Sequence, residues 1–224
     1  MKIQNTNNID FRALPVSKIH ITTPAKKASY TIYKASNKDE QFLNDLYFSV
    51  DLKKIMPNLL EMHYLIWNKV VDYGLRARLN EKTSVYLIAN NDKTPCGFLN
   101  FTDMDKKYNV NYAATWPILP KIKEFMAGKA LFTELFNMAM KNNKERIELE
   151  ALRYAPFDPV SKYMELGFKM CGGSDYQETM RIGKIQIEKT LEKFKSIITR
   201  NEIKHSKEVN LYDELKVVKD FPLI

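Results

Sequence analysis

A short run of small residues ahead of an amphipathic helix is the part of the sequence best suited to chemistry. Residues 125–130 read Phe-Met-Ala-Gly-Lys-Ala and precede apolar residues at helical spacing. The first turn of a helix leaves backbone N–H groups free and carries partial positive charge, so a phosphate or pyrophosphate is a natural ligand there. Small side chains at Ala127, Gly128 and Ala130 would let such a group approach the backbone. Lys129 would add charge, although one glycine before a helix is also typical of an ordinary turn.

Carboxylates form the second group of candidates. Glu148 and Glu150 lie two residues apart on a predicted internal strand and therefore share one face of it. Burial would raise the pKa of such a carboxyl group and suit it to general-base chemistry, and Glu150 is our candidate. Alternatively, one of the two faces solvent or pairs with Arg153. Asp103 and Asp105 are further carboxylates, but they belong to a predicted turn, where aspartates are usually solvated.

Other chemistries find little support in the sequence. His20, His63 and His205 are far apart and lack the spacing of metal ligands, so no metal is expected. No Gly-x-Ser-x-Gly elbow, Walker loop or Cys-x-x-Cys pair occurs. Cys96 and Cys171 are the only cysteines, which excludes a disulfide scaffold and favours a reduced, cytoplasmic setting.

The elements that must position these residues begin with a three-strand meander. Strands are predicted over 84–89, 96–101 and 109–116, joined by the polar connections 90–93 and 103–107. Such short connections require antiparallel pairing, because a parallel crossover needs about a dozen residues.

The period of the pattern then changes. An amphipathic helix follows Gly128, a strand is predicted over 146–152, and a short helix over 158–166 is closed by Gly167. The order strand–helix–strand implies a parallel crossover beside the antiparallel meander. We therefore predict an α+β fold with a central mixed sheet and helices on both faces.

Both ends of the chain look like additions. Residues 1–28 are predicted to be an irregular N-terminal arm with a short strand at 18–22, and residues 29–187 form the main domain. Asn37 and Glu40 resemble a capping box at the start of the first helix. Residues 188–224 are predicted to be a helical extension. An apolar stripe there, given by Ile187, Leu191, Phe194 and Ile198, could pack on the domain's own sheet, which we favour, or form a dimer seam.

Composition is that of an ordinary globular protein. The 224 residues are 45% hydrophobic and carry a formal net charge of +8. The lysines are spread along the chain without a block of like charges, which does not favour a nucleic-acid partner. We find neither a secretory signal nor an apolar run long enough for a membrane span.

The order of elements and residues 163–168, Tyr-Met-Glu-Leu-Gly-Phe, together resemble the GNAT superfamily of acyl-CoA-dependent N-acetyltransferases. The resemblance runs from residue 30 to about 187. In that family the turn before the main helix reads Gln/Arg-x-x-Gly-x-Gly/Ala, and Gly128 and Ala130 match its small positions. Phe125 stands where the family has Gln or Arg.

The resemblance implies direct transfer of an acyl group from acetyl-CoA to an amine. Residues 125–130, with Phe125, Met126 and Lys129 among them, would bind the pyrophosphate. The pantetheine would lie in a splay between the 109–116 and 146–152 strands. Ile118 or Leu119 would donate an N–H to the thioester carbonyl, although prolines flank this pair.

Tyr163 matches the family tyrosine that protonates or steadies the leaving thiolate. A phenol with a pKa near 10 can do so at neutral pH without being ionised, although Tyr163 could instead be a packed helix residue. The Asn with which the family often begins this helix is missing. Asp158 stands there and can cap the helix ahead of Pro159 without any cofactor.

Two functions of different class follow. The first is an N-acetyltransferase acting on a small-molecule or peptide amine, as a monomer or homodimer. The second is a non-catalytic GNAT-like domain that binds CoA or a protein partner.

Overall fold

The computed structural model describes residues 13–76, 82–116, 124–153, 155 and 158–217. They form one sheet of nine strands. The strands are β1 (Leu14–Thr22), β2 (Lys27–Lys34), β3 (Thr83–Asn90), β4 (Pro95–Met104), β5 (Lys107–Thr115), β6 (Arg146–Leu152), β7 (Lys169–Gly173), β8 (Gln177–Gly183) and β9 (Ile198–Glu202). The α-helices are α1 (Glu40–Ser49), α2 (Leu52–Ile55), α3 (Glu61–Leu75), α4 (Ala127–Lys141), α5 (Pro159–Glu165), α6 (Lys184–Phe194) and α7 (Leu211–Glu214).

The sheet is mixed, as the sequence predicted. Its strand order is β7-β8-β6-β5-β4-β3-β2-β1-β9. The β5–β6 pair is parallel, and α4 makes the crossover between them. The other neighbouring strands pair antiparallel. The meander and the parallel crossover are thus confirmed.

Helices pack on both faces of the sheet. Helices α4, α5 and α6 cover what we term the first face, where Ile88, Leu149 and Ile182 are buried. Helices α1, α2 and α3 cover the second face, where Leu87 and Phe98 are buried. Among the described residues no helix is long and apolar enough to cross a membrane.

The N-terminal region belongs to the sheet more than the sequence suggested. Strand β1 begins at Leu14, pairs with both β2 and β9, and buries Ile19 and Ile21 completely. Alternation of these apolar residues with Lys18 and His20 is what a strand with one covered face requires. The predicted capping box is displaced by one residue, because Ser36 caps the first turn with Asp39.

The C-terminal extension is not wholly helical. Helix α6 ends at Phe194, and Ile198 belongs to strand β9, which extends the sheet beside β1. Ile187, Phe194 and Ile198 join the core on the first face, so the stripe packs on the chain's own domain. The prediction of a helical extension missed β9 because Ile198, which begins that strand, continues the apolar spacing of the helix before it.

Candidate active site

An opening in the middle of the sheet separates β5 from β6. The two strands pair only from Lys107 with Arg146 to Val110 with Leu149. Strand β5 then continues to Thr115 and β6 to Leu152, and no described pair joins them there. The carboxyl ends therefore diverge into a splay, as the family resemblance implied.

The outer edge of β5 presents backbone groups to this splay. The Trp116 N–H donates to the Cys96 carbonyl at 3.0 Å, and the antiparallel register continues through Ala114 with Phe98. Residues in an antiparallel ladder bond alternately to one neighbour and to the other. Ala113 and Thr115 therefore direct their N–H and C=O groups away from β4, where an extended chain containing amides could pair with them.

A β-bulge turns β5 at the point where the splay begins. The β4–β5 register shifts between Asn100 and Phe101, which leaves Asn111 as the extra residue on β5. The Asn111 amide donates to Asn100 at 2.8 Å and to Thr102 at 2.9 Å. Asn100 is fully buried and donates to the Gly74 carbonyl of α3 at 3.0 Å. This network fixes the bend to the helix layer of the second face.

The predicted phosphate cradle lies at the N-terminus of α4. Met126 adopts a left-handed conformation with φ of 58°, and no described side chain caps this end of the helix. The Ala130 N–H bonds to the Met126 carbonyl at 3.0 Å, so the earlier N–H groups of the first turn have no helical acceptor. Ala127 and Ala130 face the core, whereas a Cβ added at Gly128 would meet no atom within 4 Å. The backbone at Gly128 is thus open to a ligand such as a pyrophosphate.

The segment before α4 is held by a buried tyrosine that the sequence analysis missed. Tyr30 is 1% exposed, and its hydroxyl donates to the Phe125 carbonyl at 2.7 Å and to Glu124 at 3.2 Å. The Phe125 ring in turn contacts Lys26, whose Nζ lies 5.5 Å from the ring centroid. Lys129 of α4 pairs with Glu165 of α5, at 3.5 Å between Nζ and Oε2. A buried Tyr in an N-terminal strand carries no sequence signal for this role.

Tyr163 lies on α5 against α4. Its ring packs edge-on to Phe132 at 5.5 Å and to Phe168 at 5.8 Å between centroids. No described residue hydrogen-bonds to its hydroxyl, and burial raises the pKa of Tyr163 to about 12. The phenol therefore keeps its proton at neutral pH. The helix begins as predicted, with Asp158 capping Ser161 at 3.3 Å and Gly167 in the left-handed conformation after its end.

The surroundings of Glu148 and Glu150 differ from those that the sequence predicted. Glu150 is exposed, so the premise that its strand would bury it is wrong. Glu148 is 12% exposed and accepts hydrogen bonds from Lys107, Arg146 and Arg181. Lys107 foremost, and then Arg146, lower the pKa of Glu148 to about 2, so it is a poor base at neutral pH.

The remaining candidates from the sequence are Asp103 and the pair Ile118 and Leu119. Asp103 pairs with Lys144 at 2.5 Å next to the β4–β5 turn, at the end of β5 remote from the splay. Ile118 and Leu119 lie outside the described residues. Within the described part of the chain, no cluster of three or more His, Cys, Asp or Glu side chains could hold a metal ion.

Neither a protein-family model nor the sequence of a curated protein matches the chain. The fold of the chain is similar to that of solved structures. The PaiA N-acetyltransferase from Thermoplasma acidophilum, in complex with coenzyme A, superposes with a TM-score of 0.50 at 16% identity, over 69% of this chain and 98% of that one. A GNAT-family acetyltransferase from Listeria monocytogenes gives a TM-score of 0.49 at 12% identity, over 73% and 99%.

The ribosomal-protein-S18-alanine N-acetyltransferase from Escherichia coli gives a TM-score of 0.44 at 15% identity, over 80% of this chain and 97% of that one. The likeness to PaiA, together with the strand order and the β5–β6 splay, shows that the chain has the GNAT fold. The fold predicted from the sequence resemblance is confirmed.

Proposed function

We propose that the protein is an acyl-CoA-dependent N-acyltransferase that moves an acetyl group from acetyl-CoA to an amine. The observation that carries the proposal is the splay between β5 and β6, with the open N-terminus of α4 on the first face. When bound, acetyl-CoA supplies a thioester whose carbonyl carbon the acceptor amine attacks, with the thiol as leaving group.

The backbone is well suited to hold the cofactor. The free N–H groups at Ala127, Gly128 and Lys129 would bind the pyrophosphate, aided by the partial positive charge of the helix end. Ala113 and Thr115 would pair with the amides of the pantetheine. Phe125 lends no polar side chain, and its carbonyl is instead anchored by Tyr30. The coenzyme A bound to the PaiA structure supports this choice of cofactor.

Tyr163 is the residue that we propose to meet the leaving sulfur. Its hydroxyl keeps its proton at neutral pH and has no partner among the described residues, so the O–H can donate to a thiolate. Ile118 and Leu119, which follow β5 in the sequence, stay our candidates for polarising the thioester carbonyl.

The amine must lose a proton, and Glu150 is the carboxylate that we propose for this role. It lies on the second face, one residue beyond the last β6 residue that pairs with β5. Because it is exposed, the proton can pass to it directly or through water.

A thermal-shift experiment tests the proposal. Acetyl-CoA at a hundred times its dissociation constant should stabilise the protein by about 2.7 kcal/mol, which raises Tm by roughly 5–10 °C for a domain of this size. No shift at millimolar acetyl-CoA would contradict the proposal.

Two glycine variants make the test specific to the cradle. Gly128→Val places a side chain in open space, so the fold should survive while the shift with acetyl-CoA is lost. Gly183→Val is the matched control, because Gly183 lies at the N-cap of α6 and its added Cβ would also meet no atom within 4 Å. The control should keep the full shift.

A further inference from the structure

Beside the splay, no helix among the described residues covers the second face of β6, β7 and β8, and we term this surface the floor. No residue of β6, β7 or β8 belongs to the buried cluster of the second face, and the helices nearest these strands, α5 and α6, pack on the first face. An acceptor that approaches the splay from the side opposite the cradle would therefore lie on the second-face side chains of β5, β6 and β8.

This floor carries an excess of positive charge. Glu148 faces three cations: the Nε atoms of Arg146 at 2.8 Å and Arg181 at 2.9 Å, and Lys107. Arg146 also lies 3.8 Å from Glu145. Lys169 lies directly opposite Arg181 in the β7–β8 register and is exposed. The four cations Lys107, Arg146, Lys169 and Arg181 thus outnumber the three nearby carboxylates Glu145, Glu148 and Glu150.

The Arg181 guanidinium has N–H donors without a partner among the described residues. Its side chain is 51% exposed and uses Nε for Glu148, and no described residue bonds to its terminal nitrogen atoms. A guanidinium held in this way is oriented to bind a carboxylate or phosphate through its remaining N–H groups.

The group of cations around Glu148 lies next to the β5–β6 splay. Glu148 pairs with Asn109, one residue before the last joined pair of β5 and β6, so the group stands where the splay begins. Glu150 is the next residue on the same face, and it pairs with Thr179, two residues from Arg181. Diagonal neighbours of this kind lie about 7–8 Å apart. The floor thus presents an acidic group and a basic group within reach of one small molecule.

We infer that the acceptor is an amine that also carries an anionic group, with the anion bound by Arg181 and Lys107 and the amine facing Glu150. This inference rests on the proposed function. Amines with a carboxylate or a phosphate a few bonds from the nitrogen fit the floor. Polyamines carry positive charge only, and the same cations repel them.

Matched acceptor pairs test the inference. Initial rates with acetyl-CoA are measured for γ-aminobutyrate against its amide and for O-phosphoethanolamine against ethanolamine, with spermidine as the polycation. We expect kcat/KM for the anionic member of at least one pair to be roughly tenfold higher, the size of one charged hydrogen bond. The pair that shows the preference distinguishes a carboxylate from a phosphate.

Variants identify the residue responsible. Arg181→Gln should remove most of the preference, Arg181→Lys should keep part of it, and Lys189→Gln should leave it unchanged because Lys189 is exposed on α6, away from the floor. Equal rates within both pairs, a higher rate with spermidine, or turnover with no member by a protein that binds acetyl-CoA would overturn the inference alone. A protein that binds no acetyl-CoA overturns the proposed function as well.

Discussion

The central strands of the sheet and the strands beyond the splay are built differently. Described helices cover both faces of the central strands, which we call the covered side, and only the first face of β6 to β8, which we call the open side. Strand β3 reads Ser-Val-Tyr-Leu-Ile-Ala over residues 84–89, and both Leu87 and Ile88 are fully buried, because helices cover both faces there. Strand β6 reads Arg-Ile-Glu-Leu-Glu-Ala-Leu, with Leu149 buried and Glu150 exposed. Continuous apolar runs mark strands covered on both faces and alternation marks strands covered on one. The covered side is where we expect stability to reside, and the open side is where a substrate can approach.

The largest loss of stability should come from the buried ion pair between α4 and the edge strand β9 on the first face. Arg200 of β9 makes a bidentate contact with Glu134 of α4, at 2.7 and 2.8 Å, and Glu134 is 2% exposed. Arg200→Ala leaves this carboxylate buried without its cation, which should cost about 3–5 kcal/mol in the free energy of urea unfolding.

Lys141→Ala is the control for that variant. Lys141 also reaches β9, pairing with Glu202 at 2.7 Å, but both side chains are exposed, so its loss should cost about 0.5 kcal/mol or less. Similar losses for the two variants would contradict the view that burial makes the Arg200–Glu134 pair important for stability.

Glu148 is the exception on the open side and gives a pH test. Its pKa falls from 4.5 to about 2 in the folded protein, so its contribution to stability is present above pH 4.5 and lost as the pH falls towards 2. Glu148→Gln should be less stable than wild type at pH 7 by up to about 3 kcal/mol. The gap should close between these two pH values in urea unfolding followed as a function of pH. A gap independent of pH would show that Glu148 acts through packing rather than charge.

Two Gly→Ala variants should act with opposite signs. A Cβ at Gly74 would lie 2.1 Å from Phe98, which is fully buried, so Gly74→Ala should destabilise by about 1–3 kcal/mol through overpacking. At Gly128 the space is open, and Gly128→Ala should stabilise by up to about 1 kcal/mol because alanine favours the helix. Thermal unfolding without cofactor compares the two variants. A change of stability in the same direction for both would contradict the contrast between the packed surroundings of Gly74 and the open space at Gly128.

Tyr163→Phe should have the smallest effect on stability and a large effect on turnover. Tyr163→Phe removes a hydroxyl without a described partner and keeps the ring contacts with Phe132 and Phe168, so unfolding should change by about 0.5 kcal/mol or less. The acetylation rate should fall at least about tenfold while acetyl-CoA affinity is kept. Unchanged turnover would remove Tyr163 from the mechanism and favour the non-catalytic alternative.

Local pattern was enough to predict the meander, the crossover helix and the short helix with its Asp158 cap and Gly167 end. It was not enough for β9, because Thr199, Arg200 and Asn201 give no apolar alternation and the strand is stabilised by pairing with the distant β1. The exposure of Glu150 could have been predicted from the alternation along β6, which indicates one open face.

The candidate site depends on features with no local signature. The splay is the place where β5 and β6 cease to pair, and the cluster around Glu148 joins residues from three strands that are far apart in sequence. Gly128 could be predicted as a candidate cradle residue because it stands just ahead of the apolar helical pattern, and it lies in the first turn of α4. The small side chains of Ala127 and Ala130 pack in the core, which leaves the backbone of this turn as the part that can contact a ligand.

Hydrogen exchange with and without acetyl-CoA tests the central claim most directly, because it reports the amides that a bound cofactor protects. We predict slower exchange at Ala113 and Thr115 on the free edge of β5 and at residues 127–129, and unchanged exchange in β1 and β9. Protection confined to β1 and β9, or no protection at saturating acetyl-CoA, would contradict the assignment of the splay and the α4 N-terminus as the cofactor site.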